Sequence, residues 1–573
     1  MGIVTSTLND NRVSKFPSPL WFVVEGINLQ QNLNDYLDQS CSKYGAELAW
    51  KFGSRQATYG ELGATSRTIA GALTSAGITM GDRAAFLLKN CPEVIEMHAG
   101  MSRVGAIAVP LNFRSVAREL AHVLNDSESR VVVFGEEFVD TMDEVRRIVA
   151  ADTRYVMVGS ADAPAWSASY AEWLQSGVQT AGLKSEIPSE QPYFIGYTSG
   201  TTGAPKGAVI SHRALIRHVL ALMLEYGAPS EPRDRFLTLM PMFHSNGTWF
   251  ATAAVMAGAL NVIQPSGGFD PREVLRAVAA ERITHTSVVP TMLRMMVSID
   301  PGDLALLDTS SLTSILVGSA PVTLNLKRDA ERVLGAKVNE GYGATETGVV
   351  TSLRPGDPEE KHASVGRPTM GREVAIRDDQ GRRCPVGTPG EIWTRGEGVL
   401  LDHYWNNPDA TRAAFDTSGW VTVGDMGYLD ADGYLFMTDR KHDMIISGGE
   451  NVYPTEVESV LLGHPAVLEA AVVGMAHEHW GETVQAVIVL KSGEMVTAED
   501  LVAFARTGLA DFKVPRSVRF VDELPKSSTG KILRRLVRNA ANPHETASTG
   551  LVHLGPAGSG QSAVGTRPPD GAP

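Results

Sequence analysis

The segment Tyr197-Thr198-Ser199-Gly200-Thr201-Thr202-Gly203-Ala204-Pro205-Lys206-Gly207 sits between two patterned stretches of the chain. Residues 193–196 before it read as a strand, and a helical pattern begins near Ser211. Its glycines let the backbone come close to a ligand, and amides in such a turn form an anion-binding concavity. Thr198, Ser199, Thr201 and Thr202 add hydroxyl groups, and Lys206 adds a positive charge. That chemistry suits phosphate. The spacing is not that of the Walker A loop, because Gly207 rather than Ser or Thr follows the lysine. A flexible linker is the plain alternative, but a linker requires neither a preceding strand nor an embedded lysine.

Outward from this loop, short apolar runs at 84–88, 131–134, 286–289 and 314–317 read as strands, and 92–104 reads as an amphipathic helix. Strands interleaved with helices predict an α/β fold. Residues 1–439 would form a large N-terminal domain with mostly parallel sheets sandwiched by helices. After the turn-rich residues 430–433, a break falls at Asp439-Arg440-Lys441-His442. Strand patterns at 470–473, 484–490 and 518–521, with helical ones at 498–509 and 532–539, predict a small α+β domain over 440–545. Residues 546–573 are rich in Gly, Pro, Ala, Ser and Thr and read as a disordered tail.

The 573 residues are 43% hydrophobic and 20% charged, an ordinary soluble composition with ample material for a core. A net charge of −14 argues against general attraction to nucleic acid. Cys41, Cys91 and Cys384 are too scattered for a disulfide framework or a thiolate metal site, which favours a reducing, cytoplasmic compartment. No signal-peptide pattern is expected, and no apolar run approaches the ~20 residues of a membrane helix. Transient contact with a membrane surface and the oligomeric state stay open.

Further motifs follow the loop in order. They are Pro241-Met242-Phe243-His244, Gly318-Ser319-Ala320-Pro321, Gly341-Tyr342-Gly343-Ala344-Thr345-Glu346-Thr347, Gly419-Trp420 through Gly424-Asp425, Ser447-Gly448-Gly449-Glu450-Asn451 and Pro525-Lys526-Ser527-Ser528-Thr529-Gly530-Lys531. With the loop, this ordered set resembles the adenylate-forming (ANL) superfamily over roughly residues 30–540. The superfamily includes acyl-CoA synthetases, peptide-synthetase adenylation domains and beetle luciferases. The resemblance implies the adenylate-forming enzyme fold, with the small C-terminal domain mobile. It also implies a ligase that uses ATP, Mg²⁺ and coenzyme A. A carboxylate and ATP would give an acyl-adenylate and pyrophosphate, and a thiol would then take the acyl group.

Roles for residues follow from the same resemblance. Lys531 would reach the carboxylate and the α-phosphate, a catalytic role. Thr198 and Glu346 would contact magnesium and act in catalysis. Thr198 to Gly203 and Lys206 would hold phosphates. Ser319, Ala320 and Pro321 would border adenine, with Gly341, Tyr342, Gly343, Ala344 and Thr345 beside them. Asp425 would accept the ribose hydroxyls, and Arg440 would contact ribose or phosphate. His244 would stand by the acyl carboxylate, with Phe243, Asn246, Gly247 and Trp249 around the acyl tunnel. Ser447, Gly448 and Gly449 would lie along pantetheine, and His442 would be the hinge. Plain alternatives stay open: a solvated Lys531, a helix-start Glu346, a turn Asp425, an Arg440 paired with Asp439 or Asp443, and a core His244.

Two positions depart from the family pattern. His442 stands where Asp or Lys is usual, which raises a pH-sensitive hinge as an expectation. Thr422-Val423 stands where many relatives carry His-Thr. The stretch 440–456 most resembles fatty-acyl and related CoA ligases, and no carrier-protein pattern follows it. Apolar Phe243, Trp249, Met256 and Val317 favour a hydrophobic acid, first a medium- or long-chain fatty acid. An aromatic, branched or steroid-derived acid is an alternative, as is loading of a carrier protein. So is a catalytically inactive nucleotide-binding scaffold. A phosphotransferase is a further rival and would yield ADP rather than AMP.

Overall fold

The computed structural model describes residues 31–150, 152–177, 186–198, 205–319, 322–440, 443, 445–447, 450–477, 481–526 and 532–541. Two large sheets organise the part before residue 372, and Leu401–Tyr404 joins the edge of the eight-stranded one. In the eight-stranded sheet, Arg83–Leu87, Ile107–Pro110, Val131–Gly135 and Arg154–Val158 run parallel. In the nine-stranded sheet, Arg235–Thr238, Leu260–Ile263, His285–Val288, Ser314–Val317 and Lys337–Ala344 do the same. Val131–Gly135 and Ser314–Val317 are buried at every position. Strands covered by helices on both faces need continuous apolar runs, which is how they read in the sequence.

The predicted helix over 92–104 forms as Pro92–Val104. Pro92 opens it and Gly105, at φ 72°, ends it in the left-handed conformation. It packs on helix Tyr59–Ser75 through Gly100, where an added Cβ would lie 2.3 Å from Ile69 Cγ2. Close packing of the two helices therefore depends on the missing side chain.

Two features differ from the reading of the sequence. The phosphate-type loop is followed by a strand, Lys206–Ser211, which pairs antiparallel with Pro192–Thr198. Ser211 then caps helix His212–Glu225. Pro192–Thr198 and Lys206–Ser211 are thus the two arms of a hairpin, and the apolar run Ala208-Val209-Ile210 of the return arm is fully buried in the sheet. Beyond residue 371 lies a four-stranded antiparallel sheet of Arg372–Arg377, Gly390–Gly396, Asp425–Leu429 and Leu435–Arg440. Its last strand runs through Asp439 and Arg440, where the break was expected. Its strands mix charged, polar and apolar residues at buried and half-buried positions, so they lack a continuous apolar run.

A five-stranded sheet follows, made of Ile445–Ser447, Glu450–Val452, Val467–His477, Gly481–Leu490 and Ser517–Phe520. Helices Pro454–Leu462 and Ala498–Arg506 cover it, and Ile445, Val457, Leu461, Ile488 and Leu501 make a core of their own. The expected tail, 546–573, lies outside the described residues. Among the described residues, no helix is long and apolar enough to cross a membrane.

Gly100→Val is expected to lower stability by about 1–3 kcal/mol through overpacking against Ile69. A fall in the urea unfolding midpoint checks it.

Candidate active site

Thr198 ends the strand that enters the loop, and its Oγ1 donates to Glu346 Oε1 at 3.0 Å. The Tyr404 hydroxyl donates to the same oxygen at 3.1 Å. Tyr404 lies on strand Leu401–Tyr404, which pairs antiparallel with Lys206–Ser211. From the same strand, the Leu401 N–H donates to the Glu346 carbonyl at 2.7 Å. One short strand therefore grips Glu346 by backbone and side chain. Burial and the adjoining Glu346 carboxylate push the Tyr404 phenol above its ordinary pKa and keep it a donor. Lys206 Nζ stands 5.7 Å from the Tyr404 ring centroid, within cation–π range.

This corner holds a buried carboxylate, a threonine hydroxyl and a lysine. A magnesium ion suits such a set, because it takes one or two carboxylates and completes its shell with phosphate oxygens and water. Among the described residues, no group of three or more His, Cys, Asp or Glu side chains could hold a metal without such help.

A second corner begins on strand Lys337–Ala344. The Tyr342 hydroxyl donates to Asp425 Oδ2 at 2.8 Å, and Asp425 is itself buried. Thr422 shapes the approach to Asp425: its Oγ1 accepts from Gly424 N–H at 3.1 Å and donates to Glu391 Oε1 at 2.9 Å. Arg440 pairs in register with Asp425 across the antiparallel sheet. Ser319 has φ 72°, a left-handed conformation that a non-glycine residue seldom takes. Two contacts hold its surroundings. Val322 N–H donates to Glu340 Oε1 at 3.2 Å, and Lys327 pairs with Glu340 Oε2 at 2.5 Å. The Tyr226 hydroxyl donates to the Val317 carbonyl at 2.5 Å, and its ring packs against Gly341.

The third corner is the start of helix Ser245–Ala257. His244 caps it, its Nδ1 accepting from Asn246 N–H at 3.3 Å. Ser245 Oγ lies 3.4 Å from Thr345 Oγ1, which joins this helix to the Tyr342–Glu346 segment. Ser287 donates to Asn246 Oδ1 at 2.6 Å, and Gly247 is buried in the first turn. Phe243 meets Phe113 edge to face at 5.1 Å, and Trp249 meets His218 at 4.8 Å. On another face of the helix, Thr248, Thr252 and Met256 line an apolar cavity with Leu37, Ile95 and His98. Burial holds the His98 imidazole down at about 4.

The structure thus brings Thr198, Glu346 and Lys206 to one corner, Tyr342 and Asp425 to another, and Thr345 to the His244 helix start. Gly343 and Ala344 lie on the strand between the corners. Ser447 is placed on the five-stranded sheet, opposite Glu450 and Gly481. Ser199, Gly200, Thr201, Thr202, Gly203, Ala320, Pro321, His442, Gly448, Gly449 and Lys531 lie outside the described residues. Tyr404, Tyr226, Ser245, Ser287 and Phe113 were not singled out in the sequence. Each acts through a partner far along the chain, and no local pattern marks it.

The sequence profile of AMP-binding enzymes matches residues 37–405, and that of the AMP-binding enzyme C-terminal domain matches 456–531. The long-chain-fatty-acid–CoA ligase FadD13 of Mycobacterium tuberculosis is 36% identical over 493 residues, covering 84% of this chain and 92% of that protein. The fatty acid–[acyl-carrier-protein] ligase ScoC of Streptomyces coeruleorubidus is 36% identical over 491 residues, covering 85% and 92%. Among solved structures, the anthranilate CoA ligase AuaEII in complex with anthranoyl-AMP has a TM-score of 0.84 at 28% identity, over 90% of this chain and 98% of that chain.

His98, His212 and His218 are all buried, and burial depresses all three pKa values. Unfolded histidines titrate near ~6.5, so the unfolded chain binds more protons below that pH. The stability these neutral rings allow is full above about pH 6.5 and falls as pH drops toward 4. Urea midpoints measured from pH 7.5 to 4.5 should fall, and His98→Gln should fall less steeply.

Proposed function

The chain belongs to the AMP-binding, adenylate-forming enzyme family, and from that premise we propose that it joins a hydrophobic carboxylic acid to coenzyme A at the expense of ATP. The observation that carries this reading is the Glu346 corner, where Thr198 and Tyr404 hold one carboxylate beside Lys206. In the first step, a carboxylate oxygen of the acid attacks the α-phosphorus and pyrophosphate leaves. In the second, the CoA thiolate attacks the acyl carbon and AMP leaves. Both steps move negative charge, so the protein acts by positioning and by electrostatic stabilisation.

Lys206 and the amides of the 198–203 loop bind the phosphates. Glu346 and Thr198 would hold Mg²⁺, whose charge offsets that of the triphosphate. Asp425 accepts from the ribose hydroxyls and Arg440 lies alongside. Tyr342, with Gly341, Gly343, Ala344 and the 319–321 segment, flanks adenine. Lys531 brings a cation to the acid carboxylate and the α-phosphate, which would otherwise repel each other. His244 stands at the acyl carboxylate, with Asn246 and Gly247 beside it. For the second step, residues 440–545 turn about 440–442, and Ser447, Gly448 and Gly449 face pantetheine.

Phe113, Phe243 and Trp249 favour an acid with an apolar body, and a medium- or long-chain fatty acid is the first candidate. Similarity to FadD13 supports that choice, while similarity to the anthranilate ligase supports an aromatic acid. A carrier protein as acceptor is the second reading, favoured by equal identity to ScoC.

Incubation with ATP and decanoate, with and without CoA, tests the reaction. AMP, pyrophosphate and decanoyl-CoA are expected. ADP as product overturns the ligase reading, and an acyl-adenylate that persists with CoA moves the acceptor to a carrier protein. Lys531→Ala should slow pyrophosphate release by on the order of 10²-fold or more. An undiminished rate in that variant removes Lys531 from the first step.

A further inference from the structure

The edge strand Leu401–Tyr404 does not pair with Lys206–Ser211 in an unbroken register. Leu401 lies opposite Ile210, His403 opposite Val209 and Tyr404 opposite Ala208, so the edge strand carries an extra residue between Leu401 and His403. Without it, Tyr404 would stand opposite Gly207, on the other face of the sheet. With it, Tyr404 shares a face with Ala208 and Lys206, because residues two apart on a strand lie on one side. The packing agrees. Leu401, Tyr404 and Ala208 meet in one apolar cluster, and Trp405 packs with Ile195 and Val209 in another. Two hydrogen bonds lock this register. Trp405 N–H donates to the Gly207 carbonyl at 2.7 Å, and Tyr404 N–H donates to Thr411 Oγ1 at 2.9 Å.

Tyr404 is 8% exposed and touches two groups assigned to the triphosphate. Its hydroxyl donates to Glu346 Oε1 at 3.1 Å, and its ring centroid is 5.7 Å from Nζ of Lys206, its diagonal neighbour across the strand pair. Thr198 Oγ1 donates to the same Oε1 at 3.0 Å, while Glu346 Oε2 takes no hydrogen bond among the described residues. A hydroxyl that gives its proton keeps its lone pairs, so Thr198 can still meet a cation. Two donors on one carboxylate oxygen leave the other for a hard cation. On the ring side, a lysine ammonium on a flexible stem is drawn to the face of a tyrosine.

We propose that Tyr404 is a positioning residue for both halves of the triphosphate site: its hydroxyl sets which Glu346 oxygen meets Mg²⁺, and its ring holds Lys206 ready for the phosphates. This rests on the ligase reading and adds to it the residue, and the strand irregularity behind it, that set the metal and phosphate contacts together. Plain packing in the cluster with Leu401 and Ala208 is the competing account.

Tyr404→Phe removes the hydroxyl and keeps the ring, whereas Tyr404→Leu removes both. Affinity for ATP, measured by calorimetry with Mg²⁺ and again with EDTA, separates the two accounts without turnover. In the native protein Mg²⁺ should tighten ATP binding. Tyr404→Phe should cut that gain about tenfold, the size of one hydrogen bond to a charged group, and leave the affinity in EDTA unchanged. Tyr404→Leu should in addition weaken binding in EDTA about threefold, the size of an exposed cation–π contact. That second loss should vanish in a Lys206→Met background. A full Mg²⁺ gain in Tyr404→Phe overturns the proposal. So do equal EDTA affinities for Tyr404→Phe and Tyr404→Leu, or a native protein that binds ATP with no gain from Mg²⁺.

Should Tyr404→Leu not fold, phenylalanines of rising fluorination at position 404 keep the shape and drain the ring's charge. ATP affinity in EDTA should then fall stepwise, and a flat series overturns the proposal. Intact ATP binding with a full Mg²⁺ gain in the variants fails this inference alone. No ATP binding by the native protein overturns the ligase reading and this inference with it.

Discussion

Glu346 is buried, and everything that makes its carboxylate usable comes from elsewhere in the chain. Thr198 reaches it from the end of a strand in the eight-stranded sheet, and Tyr404 from the edge strand of the same sheet. Glu346 itself follows the strand Lys337–Ala344 of the nine-stranded sheet. One carboxylate oxygen thus stitches the two large sheets together. Had it no donors, a buried carboxylate would gain a proton or open the interface. Two hydroxyl donors meet it at the junction where strand Lys206–Ser211 begins. The hairpin, the edge strand and the turn between Lys337–Ala344 and Gly348–Leu353 are parts of one arrangement.

The same rule governs the neighbouring corners. Glu340 is buried but paired with Lys327, and its other oxygen takes the Val322 N–H. That pair anchors Val322, close after Ser319, whose left-handed backbone requires support. Asp425 is buried and takes the Tyr342 hydroxyl, so the two groups assigned to the nucleoside hold each other in place. Against this background Arg372 stands apart, because among the described residues this buried charge has backbone carbonyls for partners and no anion.

Much of the fold is legible in the sequence. Strand Ser314–Val317 and helix Pro92–Val104 coincide with the runs read from it, because burial on both faces of a strand and an apolar helix stripe leave plain patterns. The hairpin return Lys206–Ser211 is less legible, since helix His212–Glu225 starts directly after it with no loop between. The antiparallel sheet of 372–440 leaves little trace, because charged residues, Arg372 and Asp425 among them, interrupt its apolar runs even at buried positions. Thr422 shows a different limit. Its departure from the family pattern is visible in the sequence, but its contribution to the turn before Asp425 is visible only in the hydrogen bonds it makes.

By itself, the sequence determined the chemical inventory and its order: a hydroxyl-rich glycine loop with a lysine, then the His, Glu, Asp and Lys motifs. Those depend on residue identity and local spacing, which the chain carries directly. Tertiary structure decided which oxygen meets which donor. Thr198 and Glu346 are 148 residues apart, and Tyr342 and Asp425 are 83 apart. A hydrogen bond tolerates only a few tenths of an ångström, and that placement comes from sheet register and from packing between layers rather than from any local pattern. For that reason Tyr404 carries no mark in the sequence, although it holds the Glu346 carboxylate.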